Sequence, residues 1–127
     1  MTRHAISTTD APAAIGPYSQ AIDVGDLVFC SGQGSIDPPT GEFLRGTVEE
    51  ETERTLRNLG AVLDAAGVGY ADVVKTTVYL IDMSDFEAMN GVYARFFPDP
   101  PPARTTVAVA ALPKGFKVEI EAIARRP

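Results

Sequence analysis

The residues best suited to chemistry lie in the last quarter of the chain, where an arginine and two carboxylates fall on strand-like sequence. Arg104 opens the run Pro102-Ala103-Arg104-Thr105-Thr106-Val107-Ala108-Val109, and two glutamates alternate along Lys117-Val118-Glu119-Ile120-Glu121-Ala122. Between them, Leu112-Pro113-Lys114-Gly115-Phe116 is a turn signal, so the spacing predicts a β-hairpin or a closely connected strand pair. A period of two puts Glu119 and Glu121 on one face, with Val118, Ile120 and Ala122 on the other. Paired across the turn, the strands would set Arg104 beside the glutamates. A fixed guanidinium near a carboxylate can hold a small anion and handle its protons. Pattern alone also fits a solvated glutamate face and a surface arginine, the commoner outcome for such a strand.

The residue types that are scarce narrow the chemistry. His4 is the only histidine and Cys30 the only cysteine, so neither a Ser-His-Asp or Cys-His triad nor a His/Cys metal cluster is expected. No Gly-x-x-x-x-Gly-Lys-Ser/Thr or Gly-x-Gly-x-x-Gly loop is present, and Gly32-Gln33-Gly34 is too short to count as one. Proton transfer is left to carboxylates, tyrosines, bound water or backbone, which favours chemistry without metal or organic cofactor on a reactive small molecule.

At 127 residues the chain is expected to form one domain, 1–127, with a real core. A net charge of −6, with no basic run beyond Arg125-Arg126, argues against a nucleic-acid partner, whose phosphates call for Lys and Arg. The lone cysteine suits a reducing compartment. No apolar leader and no stretch of membrane-spanning length is seen, so a cytoplasmic protein is expected.

These residues need a scaffold, and the chain supplies one in order. Tyr18 to Ile22 and Leu27 to Ser31 read as short strands around Asp23-Val24-Gly25-Asp26, a tight-turn sequence. Thr47-Val48-Glu49-Glu50 is a capping box, and Val48, Thr52, Leu56, Leu59, Leu63 and Ala66 form one face of a helix ended by Gly67. Glu51, Glu53, Arg54, Arg57 and Asp64 read as its wet face. Val73 to Asp82, rich in β-branched residues, is the clearest strand. Ser84-Asp85-Phe86-Glu87 reads as a second capping box, opening a helix with Phe86, Met89, Tyr93, Phe96 and Phe97 on its apolar side and Asn90 beside it.

The order is ββαβαββ with room for an extra N-terminal strand. A mixed sheet with both helices on one face is the natural α+β solution. Val107, Val109, Val118 and Ile120 would supply the buried face. Both faces of the 73–82 strand are rather apolar, and one helical layer covers only one of them. An oligomer that packs open face to open face is therefore expected.

The terminal run Pro-Ala-Arg-Thr-Thr-Val through Leu-Pro-Lys-Gly-Phe-Lys-Val-Glu-Ile-Glu-Ala resembles the signature of the RidA/YjgF family. Ala14-Ile15-Gly16-Pro17-Tyr18-Ser19-Gln20-Ala21 and Ser31-Gly32-Gln33 are similar to its two N-terminal motifs. The resemblance implies a chorismate-mutase-like α+β fold and a homotrimer packed sheet to sheet, with three clefts between subunits. It further implies cofactor-free hydrolysis of enamine/imine products of pyridoxal-phosphate enzymes, chiefly 2-aminoacrylate and 2-iminobutyrate, to 2-oxo acids and ammonia. Some members are labelled endoribonucleases or translation inhibitors, and others bind or regulate.

Position by position, Arg104 matches the family's carboxylate-binding arginine and Glu119 the glutamate linked to the hydrolytic water. Tyr18, Ser31, Gly32 and Asn90 match the lining of the cleft. Thr106 falls where many members carry cysteine and would act through its backbone. Gly34-Ser35 replaces a more apolar pair, and the proline-rich crossing from Phe97 to Ala103 is short, both at the cleft's rim. Tyr18 also fits plain core packing, Glu121 a structural role, Cys30 a small buried hydrophobe, and Ser31 a hydrogen-bonding group without a base to activate it. A trimeric binding protein for a 2-oxo acid, without turnover, is the alternative reading.

Overall fold

Thr47 starts the longest helix. Its hydroxyl accepts from the Glu50 amide at 3.1 Å while the Glu50 carboxylate accepts from the Thr47 amide at 2.9 Å, so the capping box is formed. The computed structural model describes residues 2–127. Six strands and two α-helices run in the order β1 (His4–Ile6), β2 (Ala21–Asp23), β3 (Leu27–Gln33), α1 (Val48–Ala65), β4 (Val73–Leu80), α2 (Phe86–Tyr93), β5 (Ala103–Ala108), β6 (Val118–Arg125). The extra N-terminal strand is present as β1, and β2 is shorter than predicted, because residues 18–20 lie outside it.

All strands join one sheet in the order β1-β2-β3-β6-β4-β5. β5 pairs parallel with β4, and β6 pairs antiparallel with both β3 and β4. The predicted hairpin between β5 and β6 is thus absent. The turn reverses the chain, with left-handed backbone at Lys114 (φ 57°) and Gly115 (φ 85°), but β6 lands one strand further on. Side chains explain the choice. Val118, Ile120, Ala122 and Ala124 on β6 are all buried, which suits a central slot. β5 turns Arg104 and Thr106 to that same side and sits at the edge.

Leu56, Leu59, Val62 and Leu63 of α1 and Met89 and Tyr93 of α2 pack on one sheet face against Val28, Val78, Leu80, Val118 and Ile120. Val107 differs from expectation: it lies on the opposite face, 38% exposed, as does Phe29 at 42%. With them on that open face stand Lys75, Thr77, Tyr79, Glu119 and Glu121, so it mixes polar and apolar groups.

Two further expectations are corrected. Glu51 is not on the wet face but fully buried. Its carboxylate accepts from the amides of Lys117 at 2.9 Å and Gly46 at 3.2 Å, and pairs with Lys117 Nζ at 3.4 Å. Ser84 does not cap α2. Instead Asp82 accepts from the Ser84 amide at 2.9 Å in a short 3-10 turn that leads into the helix.

Candidate active site

Arg104 stands opposite Thr76 in the β4–β5 register, so both side chains turn toward the helices. Its guanidinium carbon lies 4.8 Å from the Tyr93 ring centre and 5.6 Å from that of Phe86. Both rings belong to α2 and are seven residues apart, two turns on one face. The proline-rich segment after the helix, which bends at a cis Asp99–Pro100 bond, walls a cleft of about 510 Å³ with Asn90, Tyr93, Phe97, Asp99, Pro101 and Arg104 in its lining. None of the ion pairs among the described residues uses Arg104. Asn90 Oδ1 and Thr106 Oγ1 are buried without hydrogen-bond partners. Arg104, Asn90 and Thr106 therefore lie on one side of the sheet, and the cleft presents the Arg104 guanidinium, with Asp99 also in its lining; a guanidinium fork suits a small carboxylate.

The other half lies across the sheet. Glu119 stands opposite Tyr79 on β4 and so points to the open face. It lines a small recess with Tyr18, Gly32, Gln33, Gly34 and Phe116. Gly32 makes this possible: a Cβ there would fall 2.9 Å from Glu119 Cδ and closer still to Oε2. The glycine matters as a close approach, not as part of a phosphate loop. Half-buried in the recess, Glu119 has its carboxyl pushed above the usual glutamate range, first by burial and then by the negative charge of Glu121.

Tyr18 is not core: it is 48% exposed, and its hydroxyl accepts from the Ile15 amide at 3.2 Å. Ser31 braces this segment, donating from Oγ to the Ser19 carbonyl at 2.6 Å and from its amide to the Gln20 carbonyl at 3.0 Å. Gln20, which the sequence reading passed over, is buried. It accepts from the Thr8 amide at 2.8 Å and donates to the Pro12 carbonyl at 2.7 Å. Gln20 and its neighbour Ala21 are both buried, so strand alternation held no signal for it. Gly34 and Ser35 turn out to be packing residues: a Cβ on Gly34 would strike the Phe116 ring, and Ser35 Oγ donates to the Leu44 carbonyl at 2.7 Å.

One chain thus keeps Arg104, Asn90 and Thr106 on the helical side of the sheet and Glu119, with Tyr18 and Gly32 around it, on the open side. A mixed six-stranded sheet with two helices on one face is the fold of proteins of the RidA/YjgF type. The family model described as Endoribonuclease L-PSP matches residues 8–126, and the chain belongs to that family. It is 53% identical over 122 residues to the mouse (Mus musculus) protein named 2-iminobutanoate/2-iminopropanoate deaminase, covering 96% of this chain and 90% of that protein. It is 52% identical to the Arabidopsis thaliana protein named Reactive Intermediate Deaminase A, chloroplastic, covering 96% of this chain but only 65% of that one. Among solved structures, the YjgF gene product of Escherichia coli superposes with a TM-score of 0.92 at 45% identity, covering 98% of this chain and 99% of that one. Among the described residues, no helix is long and apolar enough to cross a membrane.

Proposed function

We propose that this chain is a hydrolytic deaminase that converts small enamine/imine acids such as 2-aminoacrylate and 2-iminobutyrate to 2-oxo acids and ammonia, without a cofactor. The observation that carries the reading is the pair of half-sites: an arginine free of ion pairs in a cleft, and a desolvated glutamate floored by glycine. The names of the relatives support the same chemistry. The site is completed between subunits of a homotrimer, in which the Arg104 cleft of one subunit meets the Glu119 recess of the next. That assembly is supported by the opposite facing of the two residues and by the uncovered sheet face with Phe29 and Val107.

In this reading Arg104 binds the substrate carboxylate through its planar fork. Tyr18, Ser31, Gly32, Asn90 and the backbone at Thr106 line the cleft. An enamine first takes a proton from solvent at C3 and releases one from its nitrogen, becoming the imine. Glu119 then accepts a proton from water as the oxygen bonds to C2, and the imine nitrogen takes up a proton from solvent as the C2=N double bond becomes single. In the resulting carbinolamine Glu119 returns its proton to the nitrogen, the C2–N bond breaks to release ammonia, and the hydroxyl proton passes to solvent as the C2=O bond forms. An imine is already electrophilic, so orientation and general acid–base help are sufficient. We read residues 1–127 as one domain working in a reducing cytoplasm, supported by a buried Cys30 whose thiol burial pushes up to about 11. RNA is not a substrate in this reading, which the charge of −6 supports.

The test generates both imines in situ with a dehydratase and traps what remains with semicarbazide. The protein should suppress semicarbazone formation. An unchanged yield, with 2-oxobutyrate still bound in calorimetry, would replace the enzyme by a carboxylate-binding protein.

A further inference from the structure

Among the described residues Arg104 makes no ion pair, yet a carboxylate-binding fork works only if its plane is fixed. Two aromatic faces are what it touches, and the nearer belongs to Tyr93. That ring is itself held. Tyr93 is only 6% exposed, and its hydroxyl lies 2.7 Å from Thr76 Oγ1 inside the core. Phe97 packs against it at 4.5 Å between ring centres. Thr76 in turn is the residue paired with Arg104 in the β4–β5 register. The three residues close a circuit: strand register joins Arg104 to Thr76, a hydrogen bond joins Thr76 to Tyr93, and a cation–π contact joins Tyr93 to Arg104.

We propose that Tyr93, locked by Thr76, is a positioning residue that sets the guanidinium plane of Arg104 for binding a substrate carboxylate. The proposal rests on the reading of Arg104 as the carboxylate-binding residue. Its physical logic is geometric. A ring against the face of a guanidinium attracts the cation and leaves the N–H edge free, and that edge is what a carboxylate engages. An aspartate or glutamate partner would hold the arginine by occupying the same edge. The hydroxyl fixes the ring: without the Thr76 bond it would slide along β4, and the fork would tilt with it. Burial also raises the Tyr93 phenol above its ordinary range, against the opposing effects of the Thr76 bond and Arg104. A neutral phenol does not compete with substrate for the guanidinium.

The test is calorimetric binding of 2-oxobutyrate to Tyr93→Leu, Tyr93→Phe, Thr76→Val and Arg104→Ala, with kcat and KM from the semicarbazide assay. Tyr93→Leu keeps apolar volume but removes the π face, and its Kd and KM should rise about 10-fold together, within the reach of one cation–π contact. Its kcat at saturation should change by less than about 3-fold, since water handling at Glu119 is untouched. A merely structural role would lower the melting temperature without this split. Parent-like Kd in a folded Tyr93→Leu, with binding lost in Arg104→Ala, would overturn the proposal alone. Parent-like binding in Arg104→Ala would overturn the assignment beneath it. Should Tyr93→Leu fail to fold, the two hydroxyl deletions decide. A rise of about 3-fold in Kd in both supports the circuit, and parent affinity in both overturns it.

Discussion

Arg104 and Glu119 leave the sheet on opposite faces. Arg104 pairs with Thr76 and Glu119 with Tyr79, and those two β4 residues are three apart, so their side chains alternate to different sides. β4 also separates the two strands that carry them. In the proposed reading, chemistry that uses both residues draws them from different copies of the chain.

The fork of Arg104 is the first target. Arg104→Lys keeps the charge but loses the planar donor pair, and it also weakens the stacking against Tyr93 and Phe86. We expect kcat/KM to fall on the order of 100-fold with the fold retained, since Arg104 makes no ion pair that the fold depends on. Circular dichroism and the semicarbazide assay on the same preparation check this.

Glu119 should differ from Glu121 despite sharing a strand face with it. Glu119→Gln removes the base and should lower turnover on the order of 100-fold or more while leaving 2-oxobutyrate binding intact. Glu121→Gln should cost far less and should instead move the pH profile. With Glu119 raised above 4.5 by burial and then by Glu121, its ionised form appears at higher pH than for an ordinary glutamate. Activity should therefore fall as pH drops and Glu119 takes up its proton, and Glu121→Gln, by removing one of the two causes of the upward shift, should move that limb to lower pH. Stability carries the opposite sign. The folded carboxyl keeps its proton to higher pH than the unfolded one, so its contribution is complete below 4.5 and is lost as pH rises through the folded value.

The two glycines of Gly32-Gln33-Gly34 should separate function from stability. A Cβ at residue 32 meets the movable end of the Glu119 side chain, so Gly32→Ala should displace the carboxylate. Turnover should fall about 10-fold or more with little change in melting temperature. A Cβ at residue 34 meets the ring of buried Phe116, 2.6 Å from Cδ2, and a packed ring cannot yield. Gly34→Ala should destabilise by about 1–3 kcal/mol in urea unfolding.

Glu51 shows where sequence reading met its limit. Spacing along α1 gave the buried face from Val48 to Ala66 correctly, because apolar residues at intervals of three and four leave one solution. A charged residue on a helix is read as solvated by default, and what buries Glu51 is the Lys117 amide, 66 positions away. No local pattern encodes that distance. Glu51→Ala would strand the Lys117 and Gly46 amides, and we expect a loss of about 2–4 kcal/mol in the same urea measurement.

The site was legible in the same uneven way. Arg104 and the pair Glu119 and Glu121 stood out by type and strand position, and only the family resemblance singled out Glu119 from the pair, with Tyr18, Ser31, Gly32, Asn90 and Thr106. Their division between two faces was hidden because it follows from register across β4, with Arg104 beside Thr76 and Glu119 beside Tyr79. The inward side of each strand had carried the answer: apolar throughout on β6, polar at Arg104 and Thr106 on β5. Tyr93 belongs to the apolar face of α2, as its spacing predicts. Its contact with Arg104 depends on where that face docks.

The most direct test of the shared site mixes two crippled proteins. Arg104→Ala lacks the carboxylate-binding half, and Glu119→Gln lacks the water-handling half. Co-refolded in equal amounts into a homotrimer with one cleft per interface, they would leave about a quarter of the clefts with both parent residues. Light scattering should report trimers, and the semicarbazide assay should recover about a quarter of parent turnover where each variant alone is nearly inactive. Trimers no more active than the separate variants would contradict the account.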